Sequence, residues 1–379
     1  AAAERAQRRQ IGRGTLPVTA AAGFPDCPSF AGRVIAWQEA NGRHDLPWQQ
    51  TRDAYRIWLS EIMLQQTQVQ TVLPYYARFL LRFPTLEALA AAPLESVLEL
   101  WSGLGYYARA RNLHRCAQTV VAERAGTFSA DPIENAGLPG IGRSTAAALS
   151  VFAFARRAAI LDGNVKRVLA RCFAVEDAGS TAAGERALWA LAESLLPDSR
   201  IESYTQGMMD LGATVCKRRK PACDACPLRE ICAAWRDGRQ AELPRRLPAR
   251  TLPERASSVL LLTDGRCVLL ERRPPVGIWG GLLTLPEGGA DAAEVFALRH
   301  GCRLRSMRTL ALVSHSFSHF RLTLTVLCCE VDERRPVAAQ AFREWLPLAD
   351  VARAAPGGLK ESPPRRIRRL HGKLPGRAS

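Results

Sequence analysis

Negative charge is scarce in this chain. Its 36 aspartates and glutamates face 52 lysines and arginines, nearly all arginine, for a formal net charge of +16. That balance favours a polyanionic partner, because neutralising phosphates releases counterions, although an arginine-rich solvated surface gives the same sum. Long apolar runs are also missing. Nothing approaches the roughly 18–20 residues a membrane span needs, so no span is expected. The opening AAAERAQRRQIGRGTLPVTAAAG has no continuous apolar core and no clear secretory cleavage site. It is arginine-rich and acid-poor like an organellar presequence, and reads more simply as a disordered tail over residues 1–25. No internal repeat is visible. Nor are the eleven cysteines arranged as a secreted disulfide framework: seven stand singly or in the pair Cys328–Cys329, and four crowd into seventeen residues. Such a pattern belongs to a reducing compartment with one metal site.

What is present is globular. A composition of 47% hydrophobic and 23% charged residues excludes a collagenous or wholly disordered chain, and 379 residues suffice for two cores. Apolar residues recur every three or four positions in SFAGRVIAWQEA, YRIWLSEIMLQQTQV, LESVLELWSGLG, RARNLHRCAQTVVAE and ERALWALAESLL. This period predicts a helical domain over residues 26–235. The proline- and charge-rich RDGRQAELPRRLPARTLPER reads as a linker over 236–256. Beyond it the period becomes two, in SSVLLLT, CVLLERR, RTLALVSH and FRLTLTVLCCEV, which predicts strands of a second domain over 257–355. A basic tail covers 356–379.

Two motifs carry the first functional signals. In LPGIGRST, Gly140, Ile141 and Gly142 form a bare turn at a helix start, with Pro139 setting the bend. Its backbone N–H groups suit one phosphate of a nucleic acid backbone. The preceding FSADPIENAG supplies a short first helix, giving helix-hairpin-helix. Taken alone, the turn reads equally well as an ordinary connection between helices. The second motif, VCKRRKPACDACPLREIC, spaces Cys216, Cys223, Cys226 and Cys232 by six, two and five residues. Four thiolates in so short a segment make a closed metal site. Zinc ribbons use two CxxC knuckles, and only one is present, so an all-cysteine 4Fe–4S cluster fits better than zinc. With no ligand position left open, the cluster is structural. Lys217, Arg218, Arg219 and Lys220 put four positive charges on the loop it holds, placed to grip phosphates.

Helix-hairpin-helix followed by a C-x6-C-x2-C-x5-C loop resembles the endonuclease III superfamily of DNA glycosylases. Within it, WLSEIMLQQTQV (58–69) and LDGNVKRVLAR (161–171) resemble the adenine-specific, MutY-type branch, and the likeness covers about residues 28–355. Two carboxylates then gain roles. Glu61 has Trp58, Ile62, Met63 and Leu64 for company, which raises its pKa and suits a general acid that protonates the purine ring. Asp162 stands at the N-cap of a helix, where dipole and N–H groups hold a carboxylate ionised. The resemblance implies that it faces the sugar and stabilises an oxocarbenium-like cation, with Asn164 orienting the network. Outside that context Glu61 reads as an exposed face residue and Asp162 as a plain helix cap. Strand-cutting relatives carry a lysine after the Gly-Arg of the hairpin. Here that position is Ser144, which cannot form a Schiff base, so a monofunctional enzyme with little or no lyase activity is expected. Gln65 lies one helical turn beyond Glu61 and can share its face. The resemblance further implies Gln66 as the plug that fills the emptied stack, Tyr106 as a wedge beside the opposite base, and Trp48 and Gln206 near the extruded adenine. Tyr106 reads equally as a core aromatic.

Residues 257–355 resemble the MutT-like (Nudix-fold) domain of the same family. ADAAEVFALRHG, after LPEGG, lacks the glutamate-rich helix that nucleotide hydrolysis requires. Phe317, Ser318 and His319 match the family's loop for 8-oxoguanine, although a merely polar surface loop would look alike. The expected fold is a mainly α catalytic region with an iron–sulfur cluster loop plus a C-terminal α+β domain. The expected substrate is double-stranded DNA carrying A:8-oxoguanine or A:G mispairs, bound by a monomer. The expected setting is the cytoplasm at the nucleoid, or an organelle or nucleus in a eukaryote. An endonuclease III–like pyrimidine glycosylase and a non-catalytic iron–sulfur DNA-binding protein are the alternatives; Ser144 and the second domain count against the former.

Overall fold

The computed structural model describes residues 29–178, 181–245, 251–274, 279–317, 319–332 and 343–350. The two expected tails lie outside these residues. Up to residue 236 the described chain is helical: α1 Phe30–Asn41, α2 Ala54–Leu64, α3 Val69–Arg82, α4 Leu86–Ala91, α5 Leu94–Trp101, α6 Ala108–Glu123, α7 Pro132–Ala136, α8 Arg143–Phe154, α9 Gly163–Cys172, α10 Ala182–Ser194, α11 Ile201–Asp210 and α12 Ala233–Arg236. Ser29, Asp53, Thr85, Asp131, Asp162 and Thr181 each accept a backbone N–H from the first turn that follows them. A short polar side chain before an apolar run thus starts each of these helices. None of the described helices is long and apolar enough to cross a membrane.

The helices enclose two apolar cores. One gathers Trp58, Phe79 and Trp101; the other gathers Leu169, Leu188 and Met208. Helix α8 runs between them, giving Ala146 and Leu149 to the first core and Ala147, Ala148 and Val151 to the second. Its alanines let both cores close upon it. Helix α2, from the first core, packs on α8, and the charge of Asp162, at the start of α9, is felt at Glu61 on α2.

One expected helix is two. The apolar period runs on through residues 55–69, yet α2 stops at Leu64 and Gln66 is left-handed, with φ 57°. The cause lies outside the segment. The Arg109 guanidinium, on α6, donates to the carbonyls of Ile62, Met63 and Gln65 at 3.0, 2.8 and 2.5 Å. Those carbonyls are then no longer the acceptors that a continuing helix would use. The expected linker also differs in part. Leu243 is buried, its carbonyl accepts from Arg171, and Arg239 pairs with Glu176, so residues 239–245 dock on the helical domain.

The second domain is a mixed sheet of β1 Glu254–Thr263, β2 Cys267–Arg272, β3 Leu283–Thr284, β4 Leu304–Ser316, β5 Arg321–Val331 and β6 Arg343–Pro347, with helix α13 at Ala293–Arg299. The order is β3-β2-β1-β5-β4, with β6 also on β2. Strands β1 and β5 pair in parallel at the centre, in register from Glu254 against Arg321. Period-two alternation sends Leu261, Leu322 and Leu324 to one face and Leu260, Leu262 and Cys329 to the other, where Ala293 and Ala297 of α13 cover them.

Candidate active site and iron–sulfur loop

Glu61, in the last two turns of α2, lies at the meeting of the two cores. Burial, and then the charge of Asp162, push its carboxyl up to about 8. Asp162 caps α9: its Oδ1 accepts from the N–H groups of Asn164 and Val165 at 2.9 and 2.8 Å. The cap is as expected, but its net effect is not. Burial outweighs the hydrogen bonds from Val165 and Asn164 and the charge of Arg167, so the Asp162 carboxyl also sits above its ordinary range. Of the two, only Asp162 has these donors. It is therefore the group that takes the shared negative charge, and Glu61 the one that keeps a proton. Ser144 touches this pair indirectly. Its Oγ accepts the Leu161 N–H at 3.0 Å and so fixes the residue that precedes Asp162. Asn164 bridges outward, donating to Asp162 Oδ2 at 3.5 Å and accepting from Arg167 at 2.9 Å.

Beside the carboxylates stand the expected plug and wedge. Gln65 caps α2 and donates to Thr145 on α8 at 3.4 Å, while Gln66 is exposed. Tyr106 is 53% exposed with φ 51°, which rules out the core alternative. Arg109 joins the two. Besides the α2 carbonyls it donates to Thr67 Oγ1 at 3.0 Å and to the Leu104 and Gly105 carbonyls at 3.3 Å, and it lies 5.4 Å from the Tyr106 ring centroid. Trp48 is buried with its ring edge-on to Tyr76 at 5.3 Å. Gln206 donates to buried Asp210, which also receives the Arg43 guanidinium at 2.6 Å; Arg43 in turn is bonded through its carbonyl to Gln49, next to Trp48.

The hairpin forms as the motif predicts, between α7 and α8. Gly140 has φ 77°, and a Cβ there would lie 2.7 Å from Asn112 Cβ on α6, so only glycine fits. Ile141 is buried and its N–H is spent on the Leu138 carbonyl, which makes it the anchor of the turn. Gly142 caps α8 with open space above it.

Cys216, Cys223, Cys226 and Cys232 carry no disulfide and line one cavity with apolar Val168, Leu211, Val215 and Leu228. Among the described residues no group of three or more His, Cys, Asp or Glu side chains closes on a single ion. The thiols instead surround a space, as a cubane with one thiolate per corner requires. Buried Arg171 donates to Cys216 Sγ at 3.3 Å and to the Lys217 carbonyl at 2.8 Å, so a fixed cation faces the anionic ligand set. The donor set fits the cluster. Lys217, Arg218 and Arg219 are exposed on the loop between the first two thiols. Arg167, one turn along from Asp162, donates to the Cys216 and Gly212 carbonyls at 2.7 and 2.5 Å. Helix α9 thus carries the catalytic candidate at one end and the grip on the cluster loop along its side.

Residues 59–194 match the HhH-GPD superfamily base excision DNA repair protein family, 216–232 the iron-sulfur binding domain of endonuclease III, and 258–358 the NUDIX domain. The chain is 35% identical to an adenine DNA glycosylase of Buchnera aphidicola subsp. Acyrthosiphon pisum over 83% of this chain and 89% of that one. It is 32% identical to the Mus musculus adenine DNA glycosylase over 87% of this chain and 76% of the relative. The chain belongs to the adenine DNA glycosylases. A solved thermostable thymine-DNA glycosylase is similar to the helical part, with a TM-score of 0.51 at 30% identity, covering 55% of this chain and 95% of that one. This adenine glycosylase family member thus joins a helical base-excision repair domain to an endonuclease III-type 4Fe–4S loop.

In its C-terminal domain, Phe317 opens a tight turn, donating its N–H to the Phe320 carbonyl at 2.9 Å, and its ring stacks on Phe320 at 4.6 Å. His319 is exposed; Ser318 lies outside the described residues. Arg109, Arg167, Arg171 and Asp210 are the positions that motif reading of this adenine glycosylase family member missed. Each acts by reaching backbone atoms or charges distant in sequence, and no local pattern marks such a residue.

Proposed function

We propose that this protein hydrolyses the N-glycosidic bond of adenine placed opposite 8-oxoguanine, and more slowly opposite guanine, and leaves the strand uncut. The observation that carries this reading is the division between the two carboxyls: Glu61 held protonated up to about 8, and Asp162 held by two N–H donors. Glu61 gives its proton to a ring nitrogen of the extruded base, so that adenine leaves as a neutral molecule. Asp162 offsets the positive charge that develops on the sugar as the bond breaks. Water adds to the sugar carbon, and the proton it loses restores the acid. When bound, the 4Fe–4S cluster holds the loop that carries Lys217, Arg218 and Arg219 toward the phosphates. Gly140, Gly142 and the mouth of α8 receive another phosphate. Gln66 and Tyr106 occupy the stack while the adenine is out. Ser144 positions the Asp162 segment and offers no amine, which supports base release without strand cutting.

The test is a duplex bearing A opposite 8-oxoguanine, analysed for strand breaks with and without hot alkali. Breaks that require alkali are expected; breaks formed without it would overturn the monofunctional reading.

A further inference from the structure

The turn before β3 leaves its own sheet and enters the helical domain. Leu282 is buried in the core that holds Trp58 and Trp101. Gly281, with φ 77°, sits so close to α5 that a Cβ would lie 3.3 Å from Leu98 Cδ1. The Gly280 carbonyl accepts from Arg111, on α6, at 3.0 Å. Trp279 packs against both this core and the core of its own sheet, in a left-handed backbone conformation (φ 54°) that bulky residues avoid. Its ring centroid is 6.0 Å from that of Phe317. From these contacts we infer that Trp279 is a strut: it ties Phe317, which opens the loop proposed to read the opposite base, to helix α6, which begins two residues after Tyr106, and is a positioning residue for that reading. The inference rests on the proposed role of that loop.

The physical reason is geometric. A loop that senses a base edge must be held within a fraction of an ångström relative to the wedge on the other side of that base. A surface loop by itself supplies no such constraint. The line Phe317, Trp279, Gly280, Arg111 does, and it ends on α6 a few residues from Tyr106.

The test uses the full chain and measures single-turnover adenine release opposite 8-oxoguanine and opposite guanine. Trp279→Ala is expected to lower the ratio of the two rates about tenfold, with the rate opposite guanine kept within about twofold. Trp279→Phe should retain most of the ratio. Adding Trp279→Ala to Phe317→Ala should cost nothing further, because both act through one loop. Without DNA, Trp279→Ala should also raise hydrogen exchange over residues 94–113. An unchanged ratio, an equal loss on both duplexes, or additive effects in the double variant would overturn the proposal. A parent protein equally fast opposite both bases would overturn the role of the loop itself; the exchange measurement still reports whether Trp279 docks the domains.

Discussion

Burial keeps much of the water from Glu61 and Asp162, and two negative charges close together there are costly. Base release should therefore fall as pH rises through about 8, where Glu61 gives up its proton. It should also fall on the acid side, as Asp162 is protonated above the usual carboxylate range. Stability follows with a definite sign. Between the ordinary value of 4.5 and about 8 the folded protein holds a proton on Glu61 that the unfolded chain has lost, so stability declines as pH rises across that window. Glu61→Gln should flatten that decline in denaturant titrations and reduce base release by about 100-fold or more while duplex binding persists. Release equal to that of the parent would remove Glu61 as the acid. The apolar company of Glu61 was legible in the sequence. The net direction at Asp162 was not, because a capping motif shows its donors but not its burial.

At the scale of elements, the turns that carry Gln66 and Tyr106, the proposed plug and wedge, are bound by one guanidinium. Gln66 and Tyr106 both have left-handed backbones, and Arg109 holds the carbonyls around each. Removing it leaves several part-buried carbonyls without donors, each worth about 1–3 kcal/mol where water cannot replace the bond. Arg109→Ala should destabilise the protein by about 3 kcal/mol in thermal or denaturant unfolding, and should slow base release beyond what the lost stability explains. Arg109→Lys keeps the charge but not the planar fork, so it should recover only part of either. Full activity in Arg109→Lys would show that charge alone suffices. The break after Leu64 has the same origin: the period in residues 55–69 describes which face is apolar, and Arg109 decides where the hydrogen-bond ladder ends.

For the whole molecule, the formal charge of +16 becomes useful only where the fold concentrates it. Lys217, Arg218 and Arg219 are exposed on a loop that Arg167 and Arg171 of α9 hold by its carbonyls. Replacing all three by alanine should weaken binding to any duplex to a similar degree and reduce the salt dependence of the logarithm of the affinity by about 2–3. The choice of partner base should not change. A shift in that choice would mean the loop reads sequence rather than phosphate. The two domains in turn pack on each other through Leu282 and Trp279, which joins the proposed partner-base loop to the helical domain that holds Glu61 and Asp162.

The sequence by itself determined the domain classes, the four-cysteine site, the hairpin and the helix cap at Asp162, because each depends on local spacing: a period of 3.6 or 2, a ligand interval, a glycine pair, a cap before an apolar run. Tertiary structure alone decided that the Asp162 carboxyl also sits above its ordinary range, where α2 ends, that residues 239–245 are docked, and which aromatic ties the domains together. Those outcomes depend on burial and on hydrogen bonds from side chains such as Arg109 and Arg171 to backbone groups tens of residues away. Distance along the chain carries no trace of them until the chain has folded.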